Sequence, residues 1–170
     1  PILQHDWQRL DELELIPFQK LIDEGVDSVM TAHLMLPVID STCPASFSQV
    51  VNKKLLRQML GFEGLIVTDA LVMNAISKTY GPGEAAIRAF EAGADLILMP
   101  ENPFEAINAL SQALLSGRVS TDRLKESTQR RNQAIAKVKA FQPIQNKQSV
   151  FFITEQVELE KDRIFAKELL

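Results

Sequence analysis

"LIVTDALVM", residues 65–73, opens with an apolar run and then presents a carboxylate. Leu65–Thr68 read as a buried strand. Asp69 follows at once, and Leu71, Val72 and Met73 are apolar again. Taking a carboxylate charge out of water is costly unless something compensates it. An acid at the end of a hydrophobic strand therefore needs a structural or chemical reason. The carboxyl end of a parallel strand is where a barrel gathers its catalytic residues and where an open α/β sheet binds its ligands. The competing reading is an Asp that caps the next helix or turn, which is common at such a position. Spacing alone leaves both open.

The surrounding sequence repeats the pattern. Residues 26–32 and 95–99 also read as short strands. The runs at 65–68 and 95–99 are almost continuously apolar, as parallel strands covered on both faces tend to be. Helical stripes separate them. Leu10, Leu13, Phe18, Leu21 and Ile22 form one, and Val51, Leu55, Leu56, Met59 and Leu60 a second. Ala85, Ala86, Ala89 and Phe90 form a third, and Phe104, Ile107, Leu110, Ser111 and Leu114 a fourth. Gly25, Gly61, Gly93 and Gly117 stand where each helix should stop, the usual place for a left-handed cap.

A weak internal repeat supports this parse. "EGVDSVM" at residues 24–30 resembles "AGADLILM" at residues 92–99. The unit recurs at roughly 30 to 40 residues, the length per unit of an eightfold barrel of about 250 residues. A doubly wound open sheet would alternate similarly. No G-x-G-x-x-G follows a strand, so the dinucleotide-binding version of that sheet has no support. Three strand–helix units cannot close an eight-stranded barrel. The sheet is either small and open or a piece of a larger one.

Composition narrows the function classes. The chain has 170 residues, 46% hydrophobic and 24% charged, which fits one globular domain. A net charge of −4 offers no basic surface for nucleic acid. A single cysteine, Cys43, excludes an internal disulfide framework and a cysteine zinc site, and fits a reducing, cytoplasmic compartment. No apolar run approaches the roughly 20 residues that span a bilayer. The chain opens on Pro1, so localisation cannot be read from its N-terminus. Ser120 is placed to cap a helix running to about Phe141, with Asp122 in its first turn. Residues 142–149 read as a linker, "VFFIT" as a strand and the last sixteen residues as a charged amphipathic helix.

His33 ends the first strand in "VMTAHLMLP". A His there can bind a substrate hydroxyl or transfer a proton; alone, it reads better as a neutral His satisfied by backbone groups. Met73 is near enough to Asp69 to line the same pocket, although Met30, Met73 and Met99 all read first as packing residues. His5 and Asp6 read as surface or cap residues. Asp27 and Asp95 follow helix-ending glycines, at the amino ends of strands, the stability face of a barrel.

"LLRQMLGFEGLIVTDALVMNAI" (residues 55–76) strongly resembles the nucleophile motif of glycoside hydrolase family 3. "AIRAFEAGADLILMP" and the earlier "VMTAH" and "PASFS" blocks extend the match over roughly residues 10–141. The resemblance is strongest to the bacterial β-N-acetylhexosaminidase (β-N-acetylglucosaminidase) branch. It implies an α/β fold in which residues 1–141 supply the last three βα units of a TIM-like (β/α)8 barrel, followed by trailing helices. Residues 142–170 are then a linker and the start of a following element.

The same resemblance implies a retaining glycosidase with Asp69 as the covalent nucleophile, placed where an oxocarbenium-like transition state needs a negative charge. It implies a carbohydrate substrate, here β-linked N-acetylglucosamine of peptidoglycan or chitin fragments, with His33 and Met73 as candidate substrate contacts. No metal or other cofactor, nucleic acid or membrane partner is implied. Many members of the branch carry a second Asp after the nucleophile; Ala70 stands there. The branch's general acid/base, a His paired with an Asp, belongs upstream of Pro1, and the β-glucosidase branch draws a Glu from a following domain. The isolated chain is thus expected to be an inactive fragment, with the missing parts of the same enzyme as a possible partner. The alternatives are a β-glucosidase or β-xylosidase of the same family, a non-catalytic module that pairs with another polypeptide, or an unrelated open α/β binding domain.

Overall fold

The computed structural model describes residues 1–140. Residues 1–136 form one compact unit. The expected linker, strand and charged helix beyond residue 141 lie outside the described residues.

Two strands, β1 (Ser28–Thr31) and β2 (Leu65–Thr68), pair in parallel. The register sets Ser28 against Leu65 and Thr31 against Thr68, so the two carboxyl ends coincide. The chain between them passes through a 3-10 turn (Ala45–Phe47) and a π-helical segment (Val50–Met59). After β2 come α3 (Asn74–Ser77), α4 (Pro82–Ala92), α5 (Pro103–Leu115) and α6 (Thr121–Ala140). Before β1 stand α1 (Trp7–Arg9), a π turn (Leu10–Glu14) and α2 (Ile16–Asp23).

The third expected strand is reduced to one parallel bridge, Val67 to Leu96. Its amino half follows the ladder, with Asp95 N and Leu96 N donating to Ile66 O and Thr68 N to Leu96 O. Then Leu98 N turns to the Thr68 hydroxyl at 2.9 Å instead of a backbone carbonyl. The side chain takes the donor that would have continued the strand.

One face of the sheet is covered. Val29 and Ile66 join Phe47, Leu56, Phe62, Leu71, Ile76 and three alanines in the main core. The other face is open among the described residues: Met30 is 58% exposed and Leu98 41%. The sequence pattern pointed to strands covered on both sides; among the described residues helices lie against one.

The helices depart from the expected stripes in three places. Pro17 falls in the first turn of α2, where its missing N–H costs nothing, whereas inside a longer helix it would break the hydrogen-bond ladder. The single stripe from Leu10 to Ile22 is therefore split, and Leu13, Phe18 and Leu21 are exposed. In the segment Val50–Met59, Leu60 N bonds Leu55 O, five residues back. That wider pitch leaves Val51, Leu55 and Leu56 buried but Met59 exposed. On α5 the buried face is Ala106 and Ala113, while Phe104 and Ile107 face out. Gly83 of α4 explains the choice: a Cβ there would stand 2.7 Å from Ala109 Cβ, so the two helices meet through small residues.

The four glycines end their helices as expected. All have positive φ, from 67° at Gly61 to 120° at Gly93, a region that costs a residue with a side chain. Ser120 Oγ accepts the Arg123 N–H at 3.1 Å, the cap foreseen for α6.

Candidate active site

Asp69 follows β2 directly and His33 lies two residues beyond β1. Because the strands are parallel and in register at Thr31 and Thr68, the two residues share the carboxyl-end rim. Asp69 N donates to Thr31 O at 3.0 Å, tying the end of β2 to the end of β1. Leu71 N and Val72 N donate to Leu98 O and Met99 O. Met99 adopts φ 43°, an uncommon angle for a residue with a side chain. Backbone from all three strand segments thus fixes the turn that carries Asp69.

Asp69 is half-buried. Its Oδ1 accepts the Ala70 N–H at 2.8 Å. Among the described residues Oδ2 accepts no hydrogen bond. The turn thus holds the carboxylate through one oxygen. The turn closes with Met73 N donating to Ala70 O at 3.1 Å, and α3 then begins. Met73 is 44% exposed, four residues from Asp69 on the same loop.

His33 is buried, with both ring nitrogens engaged. Nε2 lies 3.0 Å from Ala70 O and Nδ1 2.7 Å from Ser46 Oγ. A carbonyl oxygen only accepts, so Nε2 must carry a hydrogen. In the neutral ring Nδ1 then accepts from the Ser46 hydroxyl. The ring has no polar atom left over for a sugar in this arrangement; a sugar hydroxyl would have to displace one of these bonds.

Ser46 sits in a loop that the sequence marked through "PASFS" without giving it a task. Asp40 organises that loop. Its carboxylate accepts from Thr42 N and Oγ1 at 2.9 and 2.6 Å, from Ser48 Oγ at 2.6 Å and from Cys43 Sγ at 3.4 Å. Burial alone would raise the Asp40 pKa and is the largest single influence. The hydrogen bonds from Ser48, Thr42 and Cys43 together outweigh it and hold the carboxyl down to about 2. Burial raises the Cys43 thiol pKa, and the charge on Asp40 adds to that. Ser46 N and Ala45 N donate back to Ala32 O and Leu34 O, and Asn52 Nδ2 donates to Ala45 O. The cluster of one Asp, one Thr and three Ser in "DSTCPASFS" (residues 40–48) is the sequence signal for this network.

The opposite end of the sheet carries a different constellation. The Asp95 side chain is fully buried and meets Arg57 at 2.6 Å, Arg123 at 3.2 Å and Arg130 at 3.3 Å. Its Oδ2 also accepts the Ile66 N–H at 3.0 Å. Burial brings Arg57 down to about 10; Arg130 and Arg123 push the same way, against the attraction of Asp95. Arg57 further donates to Phe62 O and Gly64 O, and Arg123 to Ala94 O. This is a clamp between α6 and the strand beginnings, as a structural reading of Asp95 requires. His5 stands 3.8 Å from Glu14 and Asp6 accepts from Arg9 N.

Among the described residues there is no group of three His, Cys, Asp or Glu side chains able to hold a metal ion, and no helix is long and apolar enough to cross a membrane.

The profile of the glycosyl hydrolase family 3 N-terminal domain matches residues 1–134. A β-hexosaminidase of Neisseria meningitidis serogroup B is 41% identical over 105 residues, covering 60% of this chain and 29% of its own. β-Hexosaminidase A of Pseudoalteromonas piscicida is 33% identical over 164 residues, 84% of this chain and 27% of its own. Among solved structures, a family 3 β-N-acetylglucosaminidase from Paenibacillus sp. FPU-7 superposes with a TM-score of 0.80 at 44% identity, over 88% of this chain and 30% of that one. The chain thus spans under a third of the length of these relatives. The small parallel sheet and its helices match part of the family's N-terminal barrel domain. The chain belongs to glycoside hydrolase family 3, as a portion of the family's N-terminal domain and a homologue of bacterial β-hexosaminidases and β-N-acetylglucosaminidases.

Proposed function

We propose that this chain is the carboxyl-terminal portion of the barrel of a retaining β-N-acetylhexosaminidase, and that Asp69 is its nucleophile. The observation that carries the reading is the Asp69 carboxylate on the carboxyl-end rim, Oδ1 held by the Ala70 N–H and Oδ2 unpartnered within the described residues.

In the first step an Asp69 oxygen attacks the anomeric carbon of a terminal β-linked N-acetylglucosamine. The glycosidic C–O bond breaks, and the leaving oxygen takes a proton from a general acid. In the second step water, deprotonated by the same group, attacks the anomeric carbon of the glycosyl ester and releases Asp69 as a carboxylate. Two displacements on one carbon retain its configuration. Asp69 contributes the nucleophile and the negative charge opposite the oxocarbenium-like carbon. Met73 lines the sugar pocket from the same turn.

The general acid comes from polypeptide outside these 170 residues. The chain by itself is therefore inactive: loss of proton transfer alone typically costs about 10²- to 10⁴-fold, and most of a sugar-binding wall is absent as well. A β-glucosidase or β-xylosidase of the same family is the second reading.

The test is inactivation of the full-length enzyme with a fluorinated N-acetylglucosamine-type reagent, followed by peptide mapping. The ester is expected on Asp69. A label on another residue sinks the assignment, and turnover of aryl glucosides or xylosides in preference to the aryl N-acetylglucosaminide moves the substrate to the second reading.

A further inference from the structure

We propose that His33 is a positioning residue for the nucleophile: with Ser46, it fixes the backbone turn that aims the Asp69 carboxylate. The proposal rests on the assignment of Asp69 above and deepens it.

The turn depends on residue Ala70 at both ends. Its N–H holds Asp69 Oδ1 at 2.8 Å, and its carbonyl accepts from Met73 N at 3.1 Å and from His33 Nε2 at 3.0 Å. The Met73 bond is local and closes the turn. The His33 bond is the long-range one, reaching across from the end of β1. It sets the direction of the Ala70 carbonyl relative to the sheet, and so restrains the adjoining peptide whose N–H grips Asp69.

The donor is itself held. Ser46 Oγ at 2.7 Å engages Nδ1 and holds the ring plane, while the Ala70 carbonyl, which only accepts, requires the hydrogen on Nε2. Phe47 lies beside the ring, centroids 6.4 Å apart. Ser46 is completely buried and is kept in place by the loop that Asp40 ties together. Thr68, the last residue of β2, is also completely buried and uses its hydroxyl to bind Leu98 N. Asp69 is thus flanked by buried polar groups, each with a partner. A buried, doubly bonded imidazole is a poor sugar ligand and a good strut.

A nucleophile shifted by about 1 Å can lose about 100-fold in rate, so the effect should appear in kcat. The experiment compares His33→Phe, His33→Gln and Ser46→Ala in the full-length enzyme. Phe keeps a ring but bonds neither Ala70 nor Ser46; Gln keeps an N–H donor at about the reach of Nε2. His33→Phe is expected to lower kcat by about 10- to 100-fold with KM within about twofold, as for an interaction felt only in the transition state. His33→Gln should recover most of the loss. Ser46→Ala should give a smaller fall in kcat. In nuclear magnetic resonance spectra of the wild type, His33 should show the Nε2–H form, and both His33→Phe and Ser46→Ala should shift the Ala70 amide.

A raised KM with unchanged kcat in His33→Phe would make His33 a substrate contact and overturn the proposal. Unchanged kinetics would make it only a satisfied core residue and overturn it equally. If His33→Phe does not fold, Ser46→Ala decides: unaltered kcat and an unmoved Ala70 amide refute the strut. The nucleophile assignment fails separately, through retained activity in Asp69→Gly, whatever the His33 variants do.

Discussion

Arg57 Nη2 lies 2.6 Å from Asp95 Oδ2, a carboxylate without solvent exposure at the end of the sheet opposite Asp69. Arg123 and Arg130 share the same carboxylate, so one buried negative charge compensates three guanidinium groups. Asp95→Asn removes that charge and leaves the cations facing one another. Breaking a buried pair from one side costs about 3–5 kcal/mol. Asp95→Asn should lower the denaturant midpoint by that equivalent while the slope of the transition is unchanged. Arg130→Gln, at the most exposed of the three partners, should cost much less. Equal losses for the two variants would show that Asp95 is not the hub.

Gly83 faces Ala109 where α4 and α5 touch, and an added Cβ would come within 2.7 Å of the Ala109 Cβ. Gly83→Ala gains helix propensity of at most about 1 kcal/mol. Forcing the helices apart costs about 1–3 kcal/mol. The net effect should be a lower melting temperature. Pairing the change with Ala109→Gly should restore much of the loss, which a purely local backbone effect at residue 83 would not allow.

Asp40 supplies a pH dependence with a defined sign. Its carboxyl is held at about 2, below the ordinary 3.8, mainly by its hydrogen bonds acting against burial. The unfolded chain therefore takes up the proton first as pH falls. The stabilisation is complete above about pH 4 and disappears as pH drops through about 2. Asp40→Asn should lower the melting temperature at neutral pH, and its deficit should shrink as the pH approaches 2. A deficit that stays constant across that range would show that the charge does not hold the loop.

The open face of the sheet predicts the behaviour of these residues expressed alone. Met30 and Leu98 stand exposed on strand segments that alternate toward the uncovered side, and unpaired sheet edges invite association. The 170-residue chain should scatter light as an oligomer, and Met30→Glu with Leu98→Glu should reduce its size. A sharp cooperative transition from a monomer would argue that no further barrel wall is needed.

The sequence spoke most clearly where one rule governed. The glycines at 25, 61, 93 and 117 mark helix ends because only a positive φ fits there, and Leu65–Thr68 were legible as a strand from their apolar run. Asp69 could be placed on the rim by its position after that strand, and the chemistry proposed for it came only from the longer motif around it. The rest depended on contacts distant in sequence. Nothing in residues 95–99 announces that the Thr68 hydroxyl will take the Leu98 N–H and cut the third strand short. The α5 stripe holds at Leu110 and Leu114, which pack against the core, and fails at Phe104 and Ile107 because Gly83, twenty-six residues earlier than Ala109, draws the small face of the helix inward. Ser46 was invisible as a site residue because its significance lies in one bond to His33.

Asp69→Asn keeps the shape of the side chain and its ability to accept the Ala70 N–H, so the fold should survive. It removes the anion that the first displacement needs, so turnover in the full-length enzyme should be abolished. Asp69→Gly empties the space on that face of the sugar instead. Azide, small and anionic, should enter the gap and attack the anomeric carbon directly, giving a glycosyl azide. One displacement replaces two, so the product should have inverted configuration. Rescue should be greatest for substrates with good leaving groups, since azide replaces only the nucleophile. A general acid/base would lose the pH dependence of its limb and yield azide products of retained configuration. Retained configuration from Asp69→Gly would therefore assign Asp69 to proton transfer, and inverted configuration to nucleophilic attack.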